Sequence, residues 1–282
     1  VIDHRFGMST HLFHQHRLAR EHIAAIASHG FEAIELFAAR SHFDYHDVEA
    51  IGALAGWLQE AAIELHSVHA PIVEEVIDGS TASTLSTASG DQRRRGVAVQ
   101  AACAALDVAQ RIPFGFLVVH LGVVSDDGFL NDNRPDAARR SLVEIAEAAS
   151  KVGVRVAAEV IPNKLSEPAA LVQLIEDELD DVDVGICLDY GHAHIMGDLD
   201  DAIEAVSGHL CTTHVHDNRG RWDEHLTPFA GTISWNTAMM ETLKIGYDGM
   251  LMLELAGGAD PGEVLRRSMK ARERLARTLV MF

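Results

Sequence analysis

Along the whole chain, short apolar runs ending in a polar residue alternate with longer segments of helical period. The runs are RFGMS, EAIELF, IELHSVH, GFLVVH, VRVAAE, VGICLD, CTTHVH and GMLMLE. The spacing of apolar residues between and after them predicts helices over 17–28, 47–61, 92–110, 135–151, 167–179, 198–206, 234–245 and 261–280. Pro135, Pro168 and Pro261 fall near the starts of their helices, where a missing N–H is harmless. Strands separated by helices pair in parallel. Eight such units in 282 residues predict one closed (β/α)8 barrel, a TIM barrel occupying 1–282 as a single domain. An open doubly wound sheet is the competitor. It usually has fewer units at this length, and no GxGxxG turn follows the first run.

A chain with 48% hydrophobic residues can build a full core. Its formal charge of -19 disfavours nucleic acid and anionic membranes as partners. No apolar stretch is long enough to span a bilayer. The opening VIDHRFGMSTHLF has no signal-peptide pattern and no initiator Met, which allows for a trimmed earlier segment. A cytoplasmic location is the default expectation. Cys103, Cys187 and Cys211 form no CxxC pair and read as core thiols in a reducing compartment.

In a (β/α)8 barrel the chemistry sits at the C-terminal ends of the strands. Here those ends carry His69, His120, Glu159, Asp189 with His192 three residues on, His214 and His216 with Asp217, and Glu254. The loop after the seventh run adds Asp223 and His225. Carboxylates clustered without compensation would repel one another and suffer desolvation. Divalent cations remove that penalty, and mixed imidazole and carboxylate donors suit Zn²⁺ or Mn²⁺. The pattern therefore predicts a metal site. Strand alternation points His214 and His216 the same way, so either could be the ligand of the seventh strand.

Other residues carry weaker signals. Glu35, at the end of the second run, reads as a support behind a ligand or as a structural hydrogen-bond partner. The histidines of HLFHQH and SHFDYH read as solvated. Arg93 to Arg95 read as a solvated basic turn rather than a phosphate clamp, and Arg219 and Arg221 are the better anion candidates. Trp222 and Trp235 either wall the pocket or pack in the core. The segment 70–91 is the longest loop and would serve as a lid. Specificity is expected from it together with 121–134 and 160–168.

The motifs GFEAIEL, HSVHAP, VVHLG, AAEVIPN, CLDYGHAH, HVHD, DEHL and MLELAGG, in this order and spacing, resemble the xylose-isomerase-like TIM-barrel superfamily. That group includes sugar and sugar phosphate isomerases and epimerases, inosose dehydratases and the three-zinc AP endonucleases of family 2. The resemblance implies a core metal on Glu159, Asp189, His214 and Glu254, with His216 as the rival to His214. It implies further metal sites on His69, His120, His192, Asp223 and His225, giving one to three ions per chain. In two places the chain departs from the family pattern. PFAGTISW keeps Gly231 but has Phe229 where the first glycine of a Gly-x-Gly usually stands. Leu165 occupies the position of the glutamate that binds substrate in ketohexose 3-epimerases, which argues against that activity.

The function implied is a divalent-metal-dependent isomerase, epimerase or dehydratase acting on a sugar, sugar phosphate or polyol. Glu159 and Glu254 would exchange a proton next to a carbonyl, and His192 would orient a substrate hydroxyl. The alternative is a zinc-dependent phosphoester hydrolase of the AP endonuclease type, with two or three ions clamping the attacking and leaving oxygens. A non-catalytic sugar- or metal-binding barrel is the third reading. The expected partner is a small molecule, and a homo-oligomer is compatible with the sequence.

Overall fold

The computed structural model describes residues 5–74, 83–124, 132–179 and 182–280. Eight parallel strands close into a barrel in which each pairs with its sequence neighbours and β1 pairs with β8. They are β1 (Phe6–Ser9), β2 (Ala33–Phe37), β3 (Glu64–His69), β4 (Phe116–Val119), β5 (Arg155–Glu159), β6 (Val184–Asp189), β7 (Leu210–Val215) and β8 (Leu251–Leu253). The helices around them, among the described residues, are α1 (Arg20–Ser28), α2 (Val48–Ala61), α3 (Gln92–Ala105), α4 (Pro135–Ser150), α5 (Pro168–Glu178), α6 (Tyr190–Met196), α7 (Leu199–Ala205), α8 (Trp235–Lys244) and α9 (Pro261–Val280). None of the described helices is long and apolar enough to cross a membrane.

The strands read as near-continuous apolar runs because both faces are covered. Ile34 and Leu36 of β2 pack outward into the main core, whereas Ala33 packs with Met250 and Met252 in a separate apolar cluster. In the same way Val156 and Ala158 of β5 join the main core, while Ala157 packs with Val118 and Cys187. The helices bury one stripe each. In α4 that stripe includes Ala138, Leu142, Ile145 and Ala149, a spacing of one face of a helix. Asp47 caps α2 by accepting from the backbone N–H of Glu49, and Ala62 ends it in the left-handed conformation.

Two register shifts help set the rim. One, between Ile34 and Glu35, brings Glu35 level with Ser67 of β3. The other, between Ile186 and Cys187, brings Asp189 level with His214 of β7.

Local differences from the expected pattern have physical causes. Expected helix 92–110 splits, its last turn tightening into a 3₁₀ segment at Leu106–Gln110. One helix was not expected: α6 starts directly after Asp189, whose carboxylate caps it. The long loop after β3 contains a short antiparallel pair, Val73–Glu74 with Ser83–Thr84. The central part of the expected lid, 75–82, and residues 125–131 of the loop after β4 lie outside the described residues.

Candidate metal centre and cavity

The barrel gathers the strand-end residues into three groups of potential ligands, in each of which the donor atoms lie within 4.8 Å of one another. The first is Glu159, Asp189, His214 and Glu254; the second is His69, His120 and Glu159; the third is His192, His216, Asp223 and His225. All nine residues expected as ligands fall in these groups, and so does His216. His214, not His216, faces the three strand-end carboxylates. Its Nδ1 lies 3.1 Å from Glu159, 3.4 Å from Glu254 and 3.8 Å from Asp189. Nε2 of His216 lies 3.0 Å from Asp189 and 3.7 Å from Asp223.

Local structure fixes each side chain. Asp189 is both the last residue of β6 and the cap of α6, accepting from the backbone N–H of His192 at 2.7 Å. That bond fixes the position of His192. Its Nδ1 meets the Val160 carbonyl at 3.1 Å and its Nε2 meets Asp223 at 3.1 Å. Glu159 is central and fully buried. It receives His69 at 3.2 Å and His120 at 3.0 Å on one oxygen, and His214 at 3.1 Å on the other. Glu254 follows β8 directly. His225, at a positive φ of 44°, contacts its carbonyl through Nδ1 at 3.0 Å and Asp223 through Nε2 at 3.0 Å.

The electrostatics are those of a site built around positive charge. Burial alone would raise the pKa of Glu159, but His214 and His120 hold it well below the carboxylate range. Burial opposes ionisation of Glu254 too, yet His214 and His225 bring it down to about 2. Asp223, desolvated but bonded to His192 and His225, is also lowered. The imidazoles respond in reverse. Burial would lower His69, but its bond to Glu159 raises it to about 9. Burial would lower His225, and Asp223 raises it to about 9. His192 and His214 rise well above the ordinary value despite their burial, because of the carboxylates around them. Cys187 beside His214 is kept a neutral thiol by burial. Imidazole protons thus supply the compensation that a divalent cation would supply. The mixed N and O donors suit zinc or manganese.

A cavity of about 390 Å³ opens over these groups. Its polar wall includes His69, His120, Glu159, His192, Asp223, His225 and Glu254. Phe37, Ile72, Leu85 and Val123 are among the apolar residues opposite.

The structure corrects some expectations and decides others that the sequence left open. His11 is not solvated: it lines the cavity from the 3₁₀ turn after β1, and burial lowers its pKa to about 4. The clue was the one that found the other histidines, a position just past a strand end. His42, also read as solvated, is fully buried, with Nδ1 at 2.6 Å from the His16 carbonyl. Glu35 bonds to Ser9, Ser67 and Nε2 of His214, so it supports the site. Trp235 is core, donating to Asp217 at 2.9 Å, whereas Trp222 is 72% exposed and not among the cavity residues. Arg94 pairs with Asp132 and Arg95 with Glu144, so neither is a free phosphate clamp. Arg219 pairs with Glu224. Leu165 packs against the main core.

Known proteins share this fold. An uncharacterised protein of Methanocaldococcus jannaschii is 28% identical over 263 residues, covering 90% of this chain and 84% of its own length. The crystal structure of a D-tagatose 3-epimerase-like protein superposes with a TM-score of 0.79 at 26% identity, covering 98% of this chain and 97% of that one. The IOLI protein, crystallised with a bound zinc atom, superposes with a TM-score of 0.77 at 15% identity, over 98% of this chain and 99% of its own. The model of the xylose isomerase-like TIM barrel family (AP endonuclease family 2) matches residues 23–275, and the chain belongs to that family.

Proposed function

We propose that this protein is a divalent-metal-dependent isomerase or epimerase acting on a small, uncharged sugar. The observation that carries the reading is the convergence of Glu159, Asp189, His214 and Glu254 within 4.8 Å beneath a cavity of sugar size. A cation held by these four residues would polarise a substrate carbonyl and acidify the neighbouring C–H. Glu159 and Glu254 belong to different strand ends and are both held ionised, so each is able to accept a proton from carbon. In isomerisation one carboxylate would remove the proton and return it to the adjacent carbon. In epimerisation the second carboxylate, protonated from solvent, would deliver a proton to the opposite face of the same carbon while the first releases its proton to solvent. His192 is fixed by Asp189 and Val160, lines the cavity and meets Asp223 through Nε2, which ties the loop of Asp223 to the rim of the site. The likeness to a D-tagatose 3-epimerase-like protein supports a carbonyl sugar. Leu165 argues against ketohexose 3-epimerisation itself.

An uncharged substrate is favoured over a sugar phosphate by what lines the site. The described cavity residues include no Lys or Arg. Of the segments expected to set specificity, 70–91 contains none in the sequence, whereas 121–134 carries Arg134 and 160–168 carries Lys164, neither of which is among the described cavity residues. The phosphoester hydrolase remains the second reading because three ligand groups are present, enough for a three-ion site. To separate the two, the metal-loaded protein is incubated in deuterium oxide with neutral aldoses, ketoses and polyol ketones, and separately with phosphate esters. Deuterium entering a carbon next to the carbonyl, abolished by chelator, is the expected result. Chelator-sensitive phosphate release with no exchange at carbon would overturn the isomerase reading.

A further inference from the structure

The three ligand groups differ in how completely the protein encloses a cation. The second, His69, His120 and Glu159, offers three donors, and all three residues line the cavity. The third offers four. Its His192, Asp223 and His225 line the cavity, but His216 is fully buried and does not. The Nε2 atoms of His192 and His225 lie 3.1 and 3.0 Å from Oδ2 of Asp223, and that of His216 lies 3.7 Å from its Oδ1. Neighbouring ligands on a tetrahedral zinc with bonds near 2.0–2.1 Å are separated by roughly 3.3 Å. The rings of His216 and His225 stack at 4.1 Å with 20° between their planes. The rest of the His216 ring presses on the backbone at Gly191, where a built Cβ would come within 2.0 Å of its Cε1. Its Nδ1 is buried without a hydrogen-bond partner, so the polar contacts of the ring are made by Nε2.

We propose that His216 is a fourth protein ligand that closes the third site from its buried side. The cation there is then a fixed charge that holds the loop of Asp223 and His225 against α6 and leaves no position for a substrate oxygen. Substrate binding is confined to the first two groups. This rests on the metal-dependent reading above and adds to it a division of labour between the ions. The competing role for His216 is a simple brace, with Nε2 donating to Asp189.

His216→Gln separates the roles, because an amide still donates to Asp189 but is a poor zinc ligand. Bound metal is counted by mass spectrometry after zinc loading and dialysis, with circular dichroism as the check on folding. The variant is expected to hold one ion fewer than the parent. With cobalt substituted for zinc, the parent should show a tetrahedral visible absorption component that inorganic phosphate does not shift. In His216→Gln that component should be lost or become phosphate-sensitive. Gly191→Ala displaces the ring without removing it and should lose the same ion. If His216→Gln keeps the full count and a phosphate-insensitive spectrum, His216 is a brace and the proposal fails. A parent protein that binds a single ion overturns this inference alone, whereas one that binds none overturns the metal-dependent reading as well.

Discussion

Glu35 holds His214 from the side opposite the other carboxylates. Its oxygens accept from Ser9 at 3.1 Å and Ser67 at 2.8 Å, and one of them also faces Nε2 of His214 at 3.0 Å. A carboxylate in that place fixes the proton on Nε2 and leaves Nδ1 free for a cation among Glu159, Asp189 and Glu254. Glu35→Gln keeps the shape and removes the charge, so it should weaken metal binding by about 10–100-fold while the fold persists. Competition against a chelating dye measures this; unchanged affinity would reduce Glu35 to a filler of the barrel interior. The ligand positions themselves were legible in the sequence because each closes an apolar run. The choice between His214 and His216 was not, since alternation points both rings the same way, one on β7 and one just past its end, and the register against β6 sets His214 level with Asp189. His11 and His42 were misread for a related reason: polar neighbours in sequence do not reveal that a turn tucks the imidazole inward.

The segment from Asp217 to Ser234 carries two proposed ligands without regular secondary structure, so its shape depends on a few specific contacts. Asp217 accepts from the backbone of Asn218 and Ile233 and from Trp235 Nε1, tying both ends of the segment together. Gly231 allows a close crossing: a Cβ there would lie 2.2 Å from the Asn218 carbonyl oxygen. Phe229 takes a positive φ of 72°, the conformation the usual glycine would adopt, and its ring lies under the Arg274 guanidinium at 3.6 Å. Packing thus offsets a backbone conformation that side chains disfavour. At such a position the ordinary order of substitution reverses. Phe229→Gly should be more stable than Phe229→Ala by about 1 kcal/mol, as read by urea denaturation, because alanine loses the ring and keeps the strain. Equal stability, or alanine ahead, would show that the strain is not felt. The same contrast explains what sequence revealed of the elements. Barrel strands buried on both faces and helices with a long apolar stripe announce themselves. The seven residues of α6, whose start is set by the Asp189 side chain, have too few turns to show a period.

At the scale of the molecule, the balance between imidazoles and carboxylates makes stability depend on pH, and the sign is fixed by the direction of each shift. His11 and His42 are neutral in the fold, lowered to about 4 by burial. A histidine in the unfolded chain titrates near 6.5, so between about 4 and 6.5 the unfolded state binds more protons and stability rises with pH. Glu254, lowered to about 2, acts in the same sense below the ordinary carboxylate range, its contribution being lost as pH falls. His69 and His225 act in the opposite sense. Burial lowers them, but Glu159 and Asp223 raise them to about 9, so the folded state binds more protons between about 6.5 and 9. Their contribution is complete below 6.5 and is lost as pH rises through 9. Metal-free protein should therefore be most stable near pH 6.5 and weaken on both sides. A bound cation needs neutral imidazoles and releases their protons, so loading with zinc or manganese should raise stability most on the alkaline side. Urea midpoints measured from about pH 4 to 9, with chelator and with metal, test both limbs. If the chelated protein instead grew steadily more stable from pH 6.5 to 9, the carboxylates would not be holding those imidazoles charged. The electrostatic case for a cation at the mouth of the barrel would fall with it.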